Sequence, residues 1–459
     1  KRQDPGFTGS YFDIDLNNSL EPLTAGNTYI DGRTQTAYSG DTNTGTVGAG
    51  GTAVGTSAIV LPDYQQPEIQ VHDNGGDVLI NDSGANTVRY LSIFGGNNTG
   101  VLIQGGSLTV EGNLLGVNAD GVNAGGLDRA VEIDGGGGFL EGNYIATTLK
   151  EGILIKDAIN VTIQNNHITG NGVGSCGFNI EIEMGTGISI LQNLIENAEG
   201  VGLEAVQSSG GLTIAQNSIT DSGQDVGCDG GEGGVGIRLG GSNSSLVGNL
   251  VHSNGNAGIV VNDASGIGNL ISQNSIYANG TTSDALGIDL DDNNGMGDGP
   301  TLNDNGDGDN GPNALLNFPI IQTAYVSGTN LVIQGWSRPG STLEFFMTDI
   351  NEGTASGGDN QMGLTQDYGE GQIYIGTVVE GSGGDSDGGS SSYTDADGNT
   401  DNTNQFQVSV PLPAGVEVGD LITATATWSN STSEFSPQSI IKVTTVITNR
   451  KITYRVNKN

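Results

Sequence analysis

The segments Gly152-Ile153-Leu154-Ile155 and Asn166-His167-Ile168 decide how this chain folds. The first is a short strand signal announced by Gly. The second is an Asn followed two residues later by an apolar side chain. Both recur in register. The first returns as Gly100-Val101-Leu102-Ile103, Ala130-Val131-Glu132-Ile133 and Asn179-Ile180-Glu181-Ile182. It continues as Gly202-Leu203-Glu204-Ala205, Gly236-Ile237-Arg238-Leu239, Gly258-Ile259-Val260-Val261 and Gly287-Ile288-Asp289-Leu290. Glu68-Ile69-Gln70-Val71 reads as an earlier member. First apolar positions are 22 to 34 residues apart, and the shortest gap occurs twice. The second signal sits at Asn113, Asn143, Asn166, Asn193, Asn217, Asn249 and Asn274.

A period near 22 fits one coil of three short strands and three turns, with alternate side chains pointing inward. Stacked coils then share one dry interior. Asn at a bend tolerates left-handed φ, and stacked Asn side chains form an amide ladder. Residues beyond the minimal period must bulge as loops on one side. A leucine-rich repeat would need helix-forming return segments, but these are rich in Gly, Ser and Asn.

Composition agrees. The chain has 459 residues, 79 of them Gly, but no Gly period of three, which excludes collagen. Charged residues are only 14%, and Val, Ile and Leu cluster throughout, as in a folded, turn-dense β protein. The formal net charge of −38 repels nucleic acid and anionic membrane, so neither is an expected partner. No apolar run is long enough to span a bilayer. The chain opens Lys1-Arg2-Gln3 and reads as a piece of a longer secreted protein.

The domains expected are a cap and first strands over 1–60, a parallel β-helix over 61–290, and an acidic calcium-binding linker over 291–313. Longer strand patterns such as Leu331 to Trp336 and Phe406 to Val410 then suggest an immunoglobulin-like (Ig-like) β-sandwich over 314–441. Residues 442–459 read as a basic strand or connector, holding five of the fourteen Lys and Arg. The fold class expected is all-β: a right-handed single-stranded parallel β-helix followed by an Ig-like β-sandwich.

Residues 111 to 121 (Glu111-Gly112-Asn113-Leu114-Leu115-Gly116 onward) and the exit from Gly287 through Asn317-Phe318-Pro319 carry a resemblance. With Asp420 to Thr427 and Ser433-Glu434-Phe435-Ser436, they resemble the parallel β-helix repeat proteins of the pectin-lyase-like superfamily, and within it multidomain, adhesin-type surface proteins of environmental bacteria. The likeness spans about residues 20 to 440. It implies an extracellular, cell-surface location and says little about function, because the superfamily holds lyases, hydrolases, adhesins and phage spikes. Its polygalacturonase motifs are missing here.

Three constellations could carry chemistry. Asn303, Asn305 and Asp307, followed by Gly308 and Asp309, space oxygen ligands like the start of an EF-type calcium loop. Asp289 and Asp291 lie close by, with Asp292 and Asp298. Asp395, Asp397, Asn399 and Asp401 repeat the spacing, and the expected cofactor is structural Ca2+. Second, Cys176 and Cys228 lie in insertions two coils apart, and a disulfide forms if those loops lean together. Third, the outward middle positions of the first strand include Glu181, Glu204 and Arg238 on successive coils. Two carboxylates roughly 5 Å apart suit a retaining glycosidase, and carboxylates with calcium and a basic group suit a lyase. Lys156 is a further candidate base. The bland alternative is an exposed ladder in which Arg238 offsets repulsion between two Glu. His72, His167 and His252 are scattered and not at ligand spacing.

The favoured reading is a non-catalytic structural or adhesive module, calcium-stabilised and possibly glycan-binding, within a longer surface protein. The alternative is a calcium-dependent polysaccharide lyase or hydrolase using Glu181, Glu204 and Arg238. Expected partners are a polysaccharide or cell-surface ligand and neighbouring domains of the same parent.

Overall fold

The computed structural model describes residues 6–16, 19–73, 75–96, 98–123, 125–206, 209–224, 233–291, 299–349 and 364–443. Three long sheets run side by side along one axis. The first face is ten strands, from Phe12–Leu16 to Ser275–Tyr277. The second runs from Leu79–Asn81 to Ile288–Leu290, and the third is nine strands, from Tyr29–Asp31 to Leu270–Ser272. The chain visits the faces in rotation, and neighbouring strands pair in parallel, which makes a parallel β-helix.

The column that tests the repeat is intact. Val131 pairs with Ile153, Ile153 with Ile180, Ile180 with Leu203, and Leu203 with Ile237, all fully buried. Fully burying each such side chain contributes about 1.5–3 kcal/mol, so the stacked interior is the main stabilising term. Ile69 is not part of it. Ile69–Asp73 lies on the first face, and the earlier member of the column is Leu79, paired with Val101. Period alone could not separate them, because every coil carries three similar strands.

The amide ladder is present and buried. Asn113, Asn143, Asn166, Asn193, Asn217 and Asn249 each donate from both backbone N–H and Nδ2 to the Oδ1 of the next Asn, at 2.8–3.1 Å. The left-handed φ, however, belongs to the residue before each Asn, for example Gly142, Gln192 and Gln216. The Asn side chain turns inward, where its donor and acceptor are both used.

The first strands lie within the N-terminal segment, as expected. Phe12–Leu16 and Tyr29–Asp31 already pair with Ile69–Asp73 and Ala85–Arg89. Beyond Asp31 the chain forms a short helix, Arg33–Ser39, and then an arm. Ala53–Val54 and Ile59–Val60 form its hairpin tip. The arm lies along the outside of the first face, with Asn43 Nδ2 on Ala119 O, Ala49 N–H on His167 Nδ1 and Gly55 N–H on Ser218 Oγ. Val54 and Leu61 pack on Leu194. Gly55 has φ +66 and lies so close to Gln216 that a Cβ would meet its backbone at 2.6 Å.

The second module is also all-β. Its sheet path joins two antiparallel groups through Ser439–Val443, which pairs with Ile320–Ser327 on one side and Leu421–Trp428 on the other. Both groups feed one apolar cluster that includes Leu331, Phe345, Phe406 and Ile422. The same module closes the helix. Phe346 and Phe435 enter the helix core. Glu344 accepts from Ser272 Oγ and Gln273 N–H, Glu370 from Asn279, and Glu434 from Leu290 N–H. These groups would otherwise be unpaired at the last coil's edge.

Candidate functional site

The second face carries the only long run of stacked charge predicted from the sequence. Its outer column reads Leu102, Glu132, Leu154, Glu181, Glu204, Arg238, Val260 and Asp289, each paired in register with the next. Glu181 and Glu204 are therefore on adjacent strands, about 4.8 Å apart by strand spacing. Connections from the first face to the second, such as 170–179, 197–202 and 253–258, differ in length from coil to coil, and two of them pack Val201 and Ala257 against Val260 of this column. They place the variable part of the repeat on one side.

The ladder is not exposed. Leu154, Glu204, Val260 and Asp289 are buried. Val260 sits in an outer apolar cluster with Val201, Val235, Ala257 and Ala285, contributed by those connections. Burial requires the charges to be paired, and most are. Arg238 Nε lies 2.5 Å from Glu204 Oε2, with both side chains about nine-tenths buried. Lys156 Nζ lies 2.5 Å from Glu132 Oε1, and Arg129 bridges Glu132 and Glu151. The Glu132 hydrogen bond raises the Lys156 pKa, so Lys156 stays protonated and is not the base that its position suggested.

Glu181 differs from its neighbours. Among the described residues it has no hydrogen-bond or ion-pair partner. Desolvation, then Glu151, Glu183 and Glu204, push its carboxyl up to about 7, with Arg129 partly opposing. A half-buried carboxyl titrating near neutrality can hold or release a proton there.

The acidic loops differ from the EF-type arrangement expected. Asn303 is saturated, with Nδ2 on Phe318 O and Oδ1 accepting from Phe318 N–H. Asp307 Oδ1 accepts from Asn317 N–H, and Oδ2 faces Arg338. Asn305 is exposed. Asp309, also exposed, has its carboxyl pushed up by burial and by Asp304 and Asp307. In the second loop Asp395 Oδ1 accepts three backbone N–H groups, and Asp397 accepts from Thr365 and Gln366. The two loops instead meet each other: Asn303 N–H donates to Asn399 Oδ1 and Thr400 N–H to Asn303 O, both at 2.9 Å. Asp289 and Asp291 end the last strand of the second face, away from this junction in sequence; Asp292 and Asp298 lie outside the described residues. Among the described residues no three His, Cys, Asp or Glu side chains gather as a metal-binding group. The sequence reading passed over Asp304, whose Oδ1 is buried without a hydrogen-bond partner.

Cys176 sits in the 170–179 connection, where its N–H donates to Glu199. Cys228 lies outside the described residues, as does the basic tail beyond Val443. The three His all fall on the first face. His167 accepts from the arm through Nδ1 and meets Glu196 through Nε2 at 2.8 Å, and His252 stacks on Tyr277.

A family model described as the right handed beta helix region matches residues 129–219, so the β-helix is right-handed, as the repeat implied. Among solved structures the chain is similar to the A-module of the Azotobacter vinelandii mannuronan C-5 epimerase AlgE6, at 17% identity over 61% of this chain and 76% of that one, with TM-score 0.25. It is also similar to the enzymatically active domain of bacteriophage CBA120 tailspike protein 2, at 9% identity over 81% and 67%, with TM-score 0.28.

Proposed function

We propose that this chain is a rigid β-helix module of an extracellular bacterial surface protein, able to bind glycan along its second face and not built for turnover. The observation that carries the reading is the pairing of the second-face charges. Glu204 is held by Arg238 and Glu132 by Lys156, so two of the expected catalytic groups are committed to each other. The strapped first face and the plugged last coil support a rod that resists bending. The second module is read as an Ig-like sandwich, on the strength of two antiparallel groups sharing one core. Bound Ca2+ and a Cys176–Cys228 disulfide belong to the same reading and suit an oxidising, calcium-containing milieu. Other domains of a longer parent chain are the expected neighbours.

The second reading is a polysaccharide lyase or hydrolase, and one observation favours it: the unpaired Glu181 with its near-neutral pKa. A panel of acidic and neutral polysaccharides, assayed for retention and for new chain ends, separates the two. Retention without cleavage is expected. Turnover that disappears in Glu181→Gln would replace the first reading with the second.

A further inference from the structure

The arm tip, the last coils of the first face and the second module meet around a cavity of about 510 Å³. That is within the size of ligand pockets, about 300–1,000 Å³. Thr56 lines it from the arm, Leu250 and Gln273 from the helix, and Gln372, Ile373 and Tyr374 from the second module. Its walls are tied to one another. Thr56 N–H donates to Gly248 O at 2.9 Å, Ser275 Oγ to Gln372 O at 2.7 Å, and Gln273 N–H to Glu344 at 2.9 Å. None of the residues lining the cavity is charged, in a chain of net charge −38.

Two register shifts in Glu370–Val379 shape one wall. They interrupt the alternation, so the neighbours Ile373 and Tyr374 are both exposed, at 40% and 38%. The Tyr374 ring is held in place even so. Its OH bonds Thr377 Oγ1, and its ring meets Phe346 edge-on at 5.8 Å. The Gln273 and Gln372 side-chain amides have no hydrogen-bond partner among the described residues.

We infer that this cavity binds a neutral sugar unit of a glycan chain. A pyranose ring presents an apolar C–H face and a rim of hydroxyls. The face suits an exposed, fixed aromatic ring, and the rim suits amides, each of which both donates and accepts. Thr56 Oγ1 donates to Gly248 O at 3.2 Å and keeps its lone pairs for a sugar hydroxyl. Walls that are already tied lose little freedom on binding. An acidic sugar finds no cation among the lining residues. The site is on the first face and the second module, apart from the charged column, so it goes beyond the second-face reading and does not rest on it.

NMR saturation transfer and calorimetry on the full chain test it, with cellotriose, mannotriose and xylotriose as neutral probes. Trigalacturonate and an uncharged hexapeptide serve as the competing classes. At least one neutral trisaccharide is expected to bind, with Kd on the order of 1 mM. Tyr374→Ala is expected to weaken it about tenfold, as loss of a stacked ring does. Tyr374→Phe keeps the ring and should stay within about twofold. Gln273→Asn suits the left-handed φ of 53 there but withdraws the amide, and about threefold weakening is expected. No binding by any neutral probe, equal affinity for trigalacturonate or the peptide, or equal affinity in wild type and Y374A overturns the site. If Y374A does not fold, Q273N decides, and unchanged affinity there overturns it. Polysaccharide retention that survives in Y374A while trisaccharide binding is lost supports both sites. Retention lost together with it keeps this site and removes the second-face one.

Discussion

Two columns of stacked polar side chains run the length of the same helix, and they solve the same problem differently. At the corner before the first face, identical Asn residues repeat from Asn113 to Asn274, each bonded to the next. On the second face the column mixes Glu, Arg, Leu and Val, and its charges pair locally. The difference follows from chemistry. An amide carries donor and acceptor together, so a copy one rung away is always a suitable partner. A carboxylate only accepts, so stacked copies repel, and each needs a cation, a proton or exposure. Glu204 has Arg238. Glu181 has no such partner among the described residues and takes the proton instead.

Breaking the amide column should have the largest effect. Asn193→Asp removes the donors to Ile163 O and Asn217 Oδ1 inside a fully buried corner. A loss of about 4 kcal/mol or more is expected, read as a collapse of the denaturant midpoint. In the charged column, Arg238→Met takes the guanidinium away from the buried Glu204, and about 3 kcal/mol should be lost in the same titration. Replacing Glu204 by Gln as well should recover part of that loss. Otherwise the pair is not the reason the column tolerates burial.

The smallest effect sharpens the contrast. Glu181→Gln should change stability at pH 4 by less than about 0.5 kcal/mol, because there the acid is protonated in both folded and unfolded wild type and Gln resembles it. Its signature is in pH dependence. The carboxyl titrates near 4.5 when unfolded and at about 7 in the fold. Between those values the folded chain binds the extra proton, so this group's stabilising contribution is complete below about 4.5 and is lost as pH rises from there to about 7. Thermal melts of wild type and E181Q between pH 5 and 8 should therefore diverge at the alkaline end, with the variant flatter. Parallel curves would mean that Glu181 titrates as an ordinary exposed acid.

Much of this was legible in the chain. Stacking of Ile153, Ile180 and Leu203 followed from apolar alternation at a coil-length period, and the Asn ladder followed from Asn at matching positions. Both depend on local spacing, which a sequence displays directly. Assigning Ile69 to a face failed because three strand types share one pattern. The arm was invisible for a related reason: Gly, Thr and Ala at 44–57 describe a loop equally well, and only contact with His167, Ser218 and Leu194 makes them a strap.

The candidate sites divide along the same line. Sequence by itself determined a coiled all-β solenoid and the register of Glu181, Glu204 and Arg238, because strand pairing converts a repeat period into adjacency. Tertiary structure alone decided which charges are buried, which partners they take, and that Asn303 and Asn399 come together across nearly a hundred residues. Burial and pairing depend on what the connections and the second module lay over each rung, and no local pattern encodes a neighbour that distant.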